Sequence, residues 1–127
     1  MSTWTSQQVA ALAESTEIDI ATEREDATLR RPRTIWIVSD GDRVFIRSTN
    51  GRGADWFRGA LTRQRATIRS GGHDYPVTLT ETDEDGTARA DSGYQAKYGR
   101  SYPSIVQHLL EPGPRAATLE VHPGREP

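Results

Sequence analysis

The stretch DGDRVFIRSTNGRGADWFRGALTRQRATIRSGG, residues 40–72, decides the predicted fold. Its Asp-Gly pair is typical of a tight turn, and a strand over residues 43–48 follows it. The glycine-spaced turn at residues 50–53 leads into a helix over about residues 54–64, and a strand at residues 66–70 runs back. Strands that are joined by one inserted helix in this way predict a mostly antiparallel sheet around that helix.

Positive charge is concentrated in the same stretch. Seven arginines and a single acid, Asp55, lie between Arg43 and Arg69, although the formal net charge of the chain is −2. This asymmetry indicates an anionic partner. Free N–H groups of a glycine turn before a helix also suit a phosphate or a carboxylate. The alternative is that a GC-rich genome enriches arginine throughout the chain without any ligand.

The composition bounds the other possibilities. With 127 residues, 34% of them hydrophobic, and a mean hydropathy of −0.72, the chain is expected to form one domain over residues 1–127. Its core must be small, and a homodimer would complete it. The absence of cysteine excludes disulfides, thiolate metal sites and cysteine nucleophiles. No metal-ligand spacing is present, so no metal site is predicted. No apolar run reaches membrane-spanning length and no signal peptide is evident, so we expect a cytoplasmic protein without membrane contact.

Hydrophobic periodicity and turn residues predict the remaining elements. Residues 1–15 contain a helix, residues 16–22 a half-buried strand, and residues 23–33 a mobile loop that could lie over a site. The apolar run at residues 34–38 is interpreted as the central strand. The later elements are a strand at 75–80, an acidic turn at 81–86, a short last strand at 87–90, a helical turn at 92–99, a helix from Pro103 with a core face of Ile105, Val106, Leu109 and Leu110, a strand at 116–121 and a frayed tail at 122–127. This order predicts a small β-barrel of the α+β class, with mostly antiparallel strands, one inserted helix and short C-terminal helices.

The first candidate site residues lie at the end of the strand at residues 43–48. Arg47 shares a strand face with Phe45 and could form the floor for a planar anionic ligand, or it could pair across the sheet. Ser48, Asn50 and Gly51 could donate hydrogen bonds to a phosphate, or they could form a plain connection.

The inserted helix supplies two further candidates. Trp56 matches the apolar stripe of the helix and is expected to be largely core, although it could also form the wall of a pocket. Arg58 could reach an anion or pair with Asp55 three residues earlier.

A third cluster lies in the segment GYQAKYG at residues 93–99. Lys97 between two phenols could hold a ligand carboxylate or phosphate, and Tyr94 or Tyr98 could donate a proton to a reduced product. The alternative is a structural corner in which the rings pack and the lysine extends to water.

Four segments together resemble the uncharacterised family named domain of unknown function 2255: TIWIVSDGDRVFIRSTNGRGADWFRGAL, RSGGHDYPVTL, GYQAKYG and ATLEVHP. The resemblance covers nearly the whole chain, and the family is more remotely similar to split β-barrel proteins that bind flavin mononucleotide or a deazaflavin. Those proteins include deazaflavin-dependent nitroreductases and pyridoxamine-phosphate-oxidase-like enzymes, which commonly hold the cofactor at a dimer interface. The resemblance implies a split β-barrel and a cofactor site near Arg47, Ser48, Asn50, Gly51, Trp56 and Arg58.

Three functional hypotheses follow. The first is a dimeric split β-barrel that binds flavin mononucleotide or a deazaflavin and could act as an oxidoreductase, since the cofactor itself performs hydride transfer. The second is a non-catalytic module that has lost the cofactor and binds another small anion or a protein. It is favoured by residues 22–33, which contain no glycine where the similar proteins have a glycine-rich segment. The third is nucleic-acid binding through the arginines, and the acidic pI of about 5.9 argues against it.

Overall fold

The computed structural model describes residues 3–124, which form seven β-strands and five α-helices. The strands are β1 (Ile18–Thr22), β2 (Arg33–Ile35), β3 (Val38–Asp40), β4 (Arg43–Arg47), β5 (Arg65–Ser70), β6 (His73–Glu81) and β7 (Thr118–Pro123). The helices are α1 (Ser6–Glu14), α2 (Asp55–Arg63), α3 (Glu84–Tyr98), α4 (Pro103–Leu109) and α5 (Pro112–Arg115), and a 3-10 turn at Gly51–Gly53 precedes α2. None of the helices in this range is long and apolar enough to cross a lipid bilayer.

All seven strands form one antiparallel sheet with the order β2-β1-β5-β6-β7-β4-β3. The two edge strands are β2 and β3, yet only Trp36 and Ile37 separate them along the chain. Three Cα steps span at most about 11 Å, so the two edges must lie close together. The sheet therefore curls into a half-barrel, and we call the Trp36–Ile37 connection the seam. The predicted α+β class and antiparallel barrel are confirmed.

The seam corrects one prediction. Residues 34–38 do not form a central strand, because the apolar run is broken between the two edges of the sheet. Trp36 leaves the strand and stacks on Tyr98 of α3, with ring centroids 3.8 Å apart and planes inclined by 5°. Ile37 turns into the barrel core and is 1% exposed. A buried aromatic partner outside the sheet, which local sequence does not reveal, therefore overrides the strand pattern.

Two apolar clusters meet at β4. The inner cluster fills the curl of the sheet and includes Phe57 of α2, while the outer cluster packs α3 and α4 against β3 and β4. Val44 and Ile46 point into the inner cluster and Phe45 into the outer one, so β4 is covered on both faces. Each fully buried large apolar side chain stabilises the fold by about 1.5–3 kcal/mol.

Helix α3 is a second correction. Residues 87–90, predicted as a short strand, lie inside this 15-residue helix, which replaces both that strand and the separate helical turn predicted at residues 92–99. Asp83 caps the helix by accepting a hydrogen bond from the backbone N–H of Gly86 at 2.9 Å. A Cβ atom on Gly86 would lie 1.7 Å from Thr82 Oγ1, so glycine is required there by close approach. The cap and this fit start a helix where residue propensity alone indicates a turn.

Residues 23–33 do not behave as an open loop over the barrel. They contain a bridge between Glu23 and Leu29, and Arg30 donates hydrogen bonds from Nη1 to the carbonyl oxygens of Glu23 and Gly59. At the C-terminus, β7 extends the predicted strand to Pro123. The rest of the predicted tail, residues 125–127, lies outside the described residues.

Candidate functional site

The arginines between residues 43 and 69 are largely paired with carboxylates from distant parts of the chain. Arg43 contacts Glu120 at 2.8 Å, and Arg52 pairs with Glu81. The other pairs are Arg47 with Asp91, Arg58 with Asp55, Arg63 with Glu23 and Arg69 with Asp74. The local excess of positive charge therefore does not produce an open basic surface, because folding brings acids to it.

Arg47 is buried, with its side chain 0% exposed. Its Nη1 atom donates to Asp91 Oδ1 at 2.7 Å and to the carbonyl of Leu109 at 2.9 Å. Its Nε atom donates to Thr118 Oγ1 at 2.8 Å, and Nη2 donates to the carbonyl of Thr87 at 3.1 Å. The guanidinium group thus ties β4 to α3, α4 and β7, and most of its donors are used within the protein.

Lys97 and Tyr98 hold the seam. The Nζ atom of Lys97 donates to the carbonyl of Ile37 at 2.7 Å, and the hydroxyl of Tyr98 donates to the carbonyl of Thr16 at 2.6 Å. Burial lowers the pKa of Lys97 to about 8 and raises the pKa of Tyr98 to about 12. These contacts match the structural corner that the sequence offered as an alternative, except that the half-buried lysine is hydrogen-bonded to carbonyls.

A cleft of about 680 Å³ lies between the seam and α4, and we call it the α4 cleft. It lies where the segment before β1, strand β2, the end of β4 and helix α3 meet α4. Its walls are Thr16, Glu17, Thr34, Ile35, Trp36, Arg47, Thr49, Tyr94, Tyr102, Ser104, Ile105, His108 and Leu109. This volume is typical of small-molecule sites, and most of the larger wall residues are apolar or aromatic.

Two exposed apolar side chains border the α4 cleft. Tyr102 and Ile105 are 43% and 44% exposed, although the sequence predicted Ile105 to lie on the core face of α4. Only Val106 and Leu109 of that helix are buried, because a helix this short turns a narrow face to the outer cluster. The ring of Tyr102 lies 5.3 Å from that of Trp36, so aromatic surface continues from the seam to the rim of the cleft.

Tyr94 forms the buried floor of the α4 cleft. It is 1% exposed, and its hydroxyl makes no hydrogen bond to any described residue. Its ring lies 5.3 Å from the guanidinium carbon of Arg47. Burial raises the pKa of Tyr94 well above its ordinary value, and the nearby Arg47 charge, together with a weak contact from the Arg47 backbone that lies outside hydrogen-bond geometry, offsets only part of that rise. The phenol is therefore protonated and can donate a hydrogen bond.

His108 lies at the rim of the α4 cleft. Its Nε2 atom is 2.8 Å from the carbonyl of Thr49, and Nδ1 is 2.9 Å from Glu111 Oε1. Both partners accept hydrogen bonds, so they favour the doubly protonated ring. The Thr49 carbonyl, followed by Glu111, raises the pKa of His108 above its ordinary value.

A second, shallower depression of about 510 Å³ is lined by Arg33, Asn50, Gly53, Ala54, Asp55 and Trp56, and we call it the Asn50 hollow. It adjoins the α4 cleft, because Arg33 precedes Thr34 and Asn50 follows Thr49 along the chain. The hollow lies at the N-terminal end of α2, whose N-cap, Ala54, supplies no side-chain hydrogen bond.

The structure divides the candidate residues among separate places. Arg47 and Tyr94 line the α4 cleft, Asn50 and Trp56 line the Asn50 hollow, and Lys97 and Tyr98 hold the seam.

The other three candidates have their own surroundings. Ser48 is fully buried, and its Oγ has no hydrogen-bond partner among the described residues. Gly51, with φ of 75°, packs against the backbone of Gly113. Arg58 is exposed and pairs with Asp55 at 2.9 Å, which is one of the two roles predicted for it.

Sequence reasoning missed the wall of the α4 cleft. Trp36, Tyr102, Ser104 and His108 were not among the candidates, because they come from the seam and from α4, far along the chain from the arginine-rich stretch. The only available signal was the width of the apolar face predicted for α4, which is too broad for a seven-residue helix. Among residues 3–124, no three His, Asp or Glu side chains converge to hold a metal ion.

The chain belongs to the family described as uncharacterized protein conserved in bacteria, domain of unknown function 2255 (DUF2255), which it matches over residues 8–121. No curated protein is similar enough in sequence to count as a match.

Three similar solved structures are named for an activity or a ligand. An F420-H2 dependent reductase has a TM-score of 0.60 and 12% sequence identity, covering 84% of this chain and 94% of its own. A putative pyridoxamine 5'-phosphate oxidase from Listeria innocua has a TM-score of 0.60 and 12% identity, covering 95% and 92%. The heme storage protein HutZ from Vibrio cholerae has a TM-score of 0.61 and 9% identity, covering 95% and 91%. At these identities the similarity shows the split β-barrel fold.

Proposed function

We propose that this protein binds a flavin-type cofactor, flavin mononucleotide or a deazaflavin such as F420, with its ring in the α4 cleft, and that it acts as an oxidoreductase. The observation that carries the proposal is the cleft itself, in which aromatic walls surround a buried phenol whose hydroxyl has no partner among the described residues. The similar reductase and oxidase structures add support at the level of fold.

The residues of the α4 cleft fit the ring of such a cofactor. Trp36 and Tyr102 offer flat surfaces for stacking, and Ile105 and Leu109 complete an apolar wall. Polar atoms are few, as expected for a site that orients a ring by a small number of hydrogen bonds. Tyr94 offers a donor at the floor, which suits the carbonyl oxygens of a flavin or deazaflavin ring.

For the phosphate end of the cofactor we keep one residue that the sequence suggested, Asn50, and replace Arg47. Arg47 is the residue that the resemblance pointed to, but its guanidinium is buried and paired with Asp91. The adjoining Asn50 hollow offers the exposed side chains of Arg33 and Asn50 beside the positive end of α2, and the carboxylate of Asp55 that also lines it is paired with Arg58 at 2.9 Å. We assign the phosphate to Arg33 and Asn50, and assign Arg47 the role of fixing α3 and α4 on the sheet.

The division of labour follows from these placements. When bound, the cofactor supplies hydride transfer. Trp36, Tyr102 and Ile105 would exclude water from the ring, and Tyr94 would orient it. Tyr98 has no part in this scheme, because its hydroxyl is hydrogen-bonded at the seam.

Heme is the competing cofactor, because HutZ shares the fold. A histidine that ligates heme must offer an unprotonated ring nitrogen to iron. Both ring nitrogens of His108, the histidine of the α4 cleft, already contact acceptors, and Tyr94 is protonated and therefore a poor ligand. These contacts favour a flavin-type ring over heme in this cleft.

The test is a thermal-shift titration of the purified protein with flavin mononucleotide, F420 and heme. A ligand that binds only the folded protein adds about 2.7 kcal/mol to its stability at a hundredfold excess over the dissociation constant. We expect such a shift with flavin mononucleotide or F420. A single cooperative melting transition in the same titration would test the proposal that the chain is one domain, and sedimentation equilibrium would test the proposed homodimer.

A matched pair of variants locates the binding. Ile105→Asp places a charge in the wall of the α4 cleft, and Asp is compatible with the first turn of α4, so the helix should persist. Leu29→Asp makes the same change at a side chain that is similarly exposed, 47%, and lies outside the cleft. Ile105→Asp should abolish the shift and Leu29→Asp should retain it. A shift with neither flavin mononucleotide nor F420, or equal shifts in both variants, would disprove the proposed function.

A further inference from the structure

Tyr94 and Tyr98 are two buried tyrosines on one face of α3, with ring centroids 6.2 Å apart. Their hydroxyl groups differ in one respect. The hydroxyl of Tyr98 donates to the carbonyl of Thr16 at 2.6 Å and also reaches the carbonyl of Ile37 at 3.3 Å. The hydroxyl of Tyr94 has no hydrogen bond to any residue that the structure describes.

An unpaired buried hydroxyl is unfavourable for folding. Phenylalanine would fill the same space beside Arg47 and Tyr98 without that cost, so packing does not explain why Tyr94 carries a hydroxyl. The residue is 1% exposed and lines the α4 cleft, so a ligand in that cleft lies against the residue that carries the unpaired group. A ligand that enters the cleft can supply the hydrogen-bond acceptor that the protein does not provide.

We infer that Tyr94 determines which ligands the α4 cleft accepts, by donating a hydrogen bond from its hydroxyl to a carbonyl oxygen or ring nitrogen of a planar ring. The inference rests on the proposed function for the place of binding, but not on the identity of the cofactor. It makes Tyr94 a specificity-determining residue whose hydroxyl is a hydrogen-bond donor, in place of the proton-transfer role that the sequence suggested.

The chemistry of the site fixes the direction of this hydrogen bond. Burial keeps the phenol protonated, so it donates, and the ligand must supply the acceptor. The nearest charge, on Arg47, is fully buried and already paired with Asp91 at 2.7 Å, a carboxylate that Arg115 shares at 3.0 Å, so it offers no free cation to an anionic ligand. The part of the ligand that reaches Tyr94 is therefore an uncharged heteroaromatic or quinone-like ring. A hydrocarbon ring of the same shape leaves the hydroxyl unpaired and is rejected.

The experiment uses two probes of the same shape, anthraquinone sulfonate, which carries carbonyl acceptors, and anthracene sulfonate, which does not. Calorimetric titration of the wild-type protein should show about tenfold tighter binding of the quinone, the value of one buried hydrogen bond. Tyr94→Phe should bind both probes equally. Tyr98→Phe is the matched control, and it should keep the preference for the quinone.

Melting temperatures without ligand give an independent measurement. Tyr94→Phe should melt at the wild-type temperature or above, because it removes an unpaired hydroxyl, whereas Tyr98→Phe should melt lower, because it leaves the Thr16 carbonyl without its donor. The inference is overturned if Tyr94→Phe is destabilised as much as Tyr98→Phe, if it retains the quinone preference, or if the wild-type protein binds neither probe. A quinone preference that depends on Tyr94, without binding of flavin mononucleotide or F420, would support the inference and reject the proposed cofactor.

Discussion

Substitution of Asp91 by asparagine tests whether Arg47 is a structural residue. The Arg47 side chain is fully buried, Asp91 is 23% exposed, and the two are joined at 2.7 Å. Asp91→Asn keeps the shape and the acceptor oxygen but leaves the buried Arg47 charge without a counter-ion, and it also removes the partner of the more exposed Arg115, which Asp91 contacts at 3.0 Å. Removing one partner of a buried ion pair costs about 3–5 kcal/mol. Because asparagine retains one hydrogen bond, we expect about 3 kcal/mol, which lowers the melting temperature by roughly 10 °C in a chain of this size.

The matched control is Asp85→Asn on the same helix. Asp85 also contacts arginines, Arg43 at 3.2 Å and Arg89 at 2.9 Å, but its side chain is 64% exposed. Exposed ion pairs contribute about 0–1 kcal/mol, so this variant should unfold almost as the wild type does. Urea titration followed by circular dichroism gives both free energies of unfolding. Equal losses in the two variants, or a loss below about 1 kcal/mol for Asp91→Asn, would refute the assignment of Arg47 to the fold.

Two further predictions concern the ends of α3. Burial lowers the pKa of Lys97 from 10.5 to about 8, so between these pH values the unfolded chain binds more protons than the folded chain. The Lys97 contribution to the free energy of unfolding should therefore rise from pH 8 to pH 10. Denaturation at several pH values should show that Lys97→Met removes this rise. Gly86→Ala forces a Cβ atom against Thr82 and should lower the melting temperature. Gly53→Ala is the control, because a Cβ atom added at Gly53 would have no neighbour within 4 Å, and it should leave the melting temperature unchanged. Equal melting temperatures of the two variants would contradict the close fit at Gly86.

The sequence predicts most of this fold because the evidence is local. Side-chain periodicity and turn residues within short windows predict the turn before β4, the helix after the glycine turn, and strands β5 and β6. The seam does not, because residues 34–38 have the pattern of a strand and are divided by contacts with α3. The first half of α3 was missed for a related reason, since its Asp83 cap and its fit at Gly86 depend on atoms that only the folded chain brings together.

The sequence predicted an anionic partner from the local excess of arginine, but the fold pairs most of these arginines with carboxylates of the same chain. Seven arginines in one stretch are unusual, but the net charge of a surface depends on which residues are close together in the fold. Glu120 on β7 and Asp91 on α3 are far from the stretch in sequence and reach Arg43 and Arg47 in the fold. Arg47 was predicted as a candidate binding residue, and its carboxylate partner in the fold, Asp91, could not be deduced from residue spacing.

The α4 cleft connects the fold to the proposed function through one face of α3. Asp91, Tyr94 and Tyr98 follow at spacings of three and four, so they lie along one side of the helix. Asp91 fixes Arg47 and thereby β4, and Tyr98 fixes the seam. Tyr94 lies between these two anchors, and the packing on either side positions its ring. The ring therefore stays in place at the floor of the cleft without a hydrogen bond from its hydroxyl. A preorganised donor of this kind loses little freedom when a ligand arrives, and this is the property that lets one hydrogen bond discriminate between rings of the same shape.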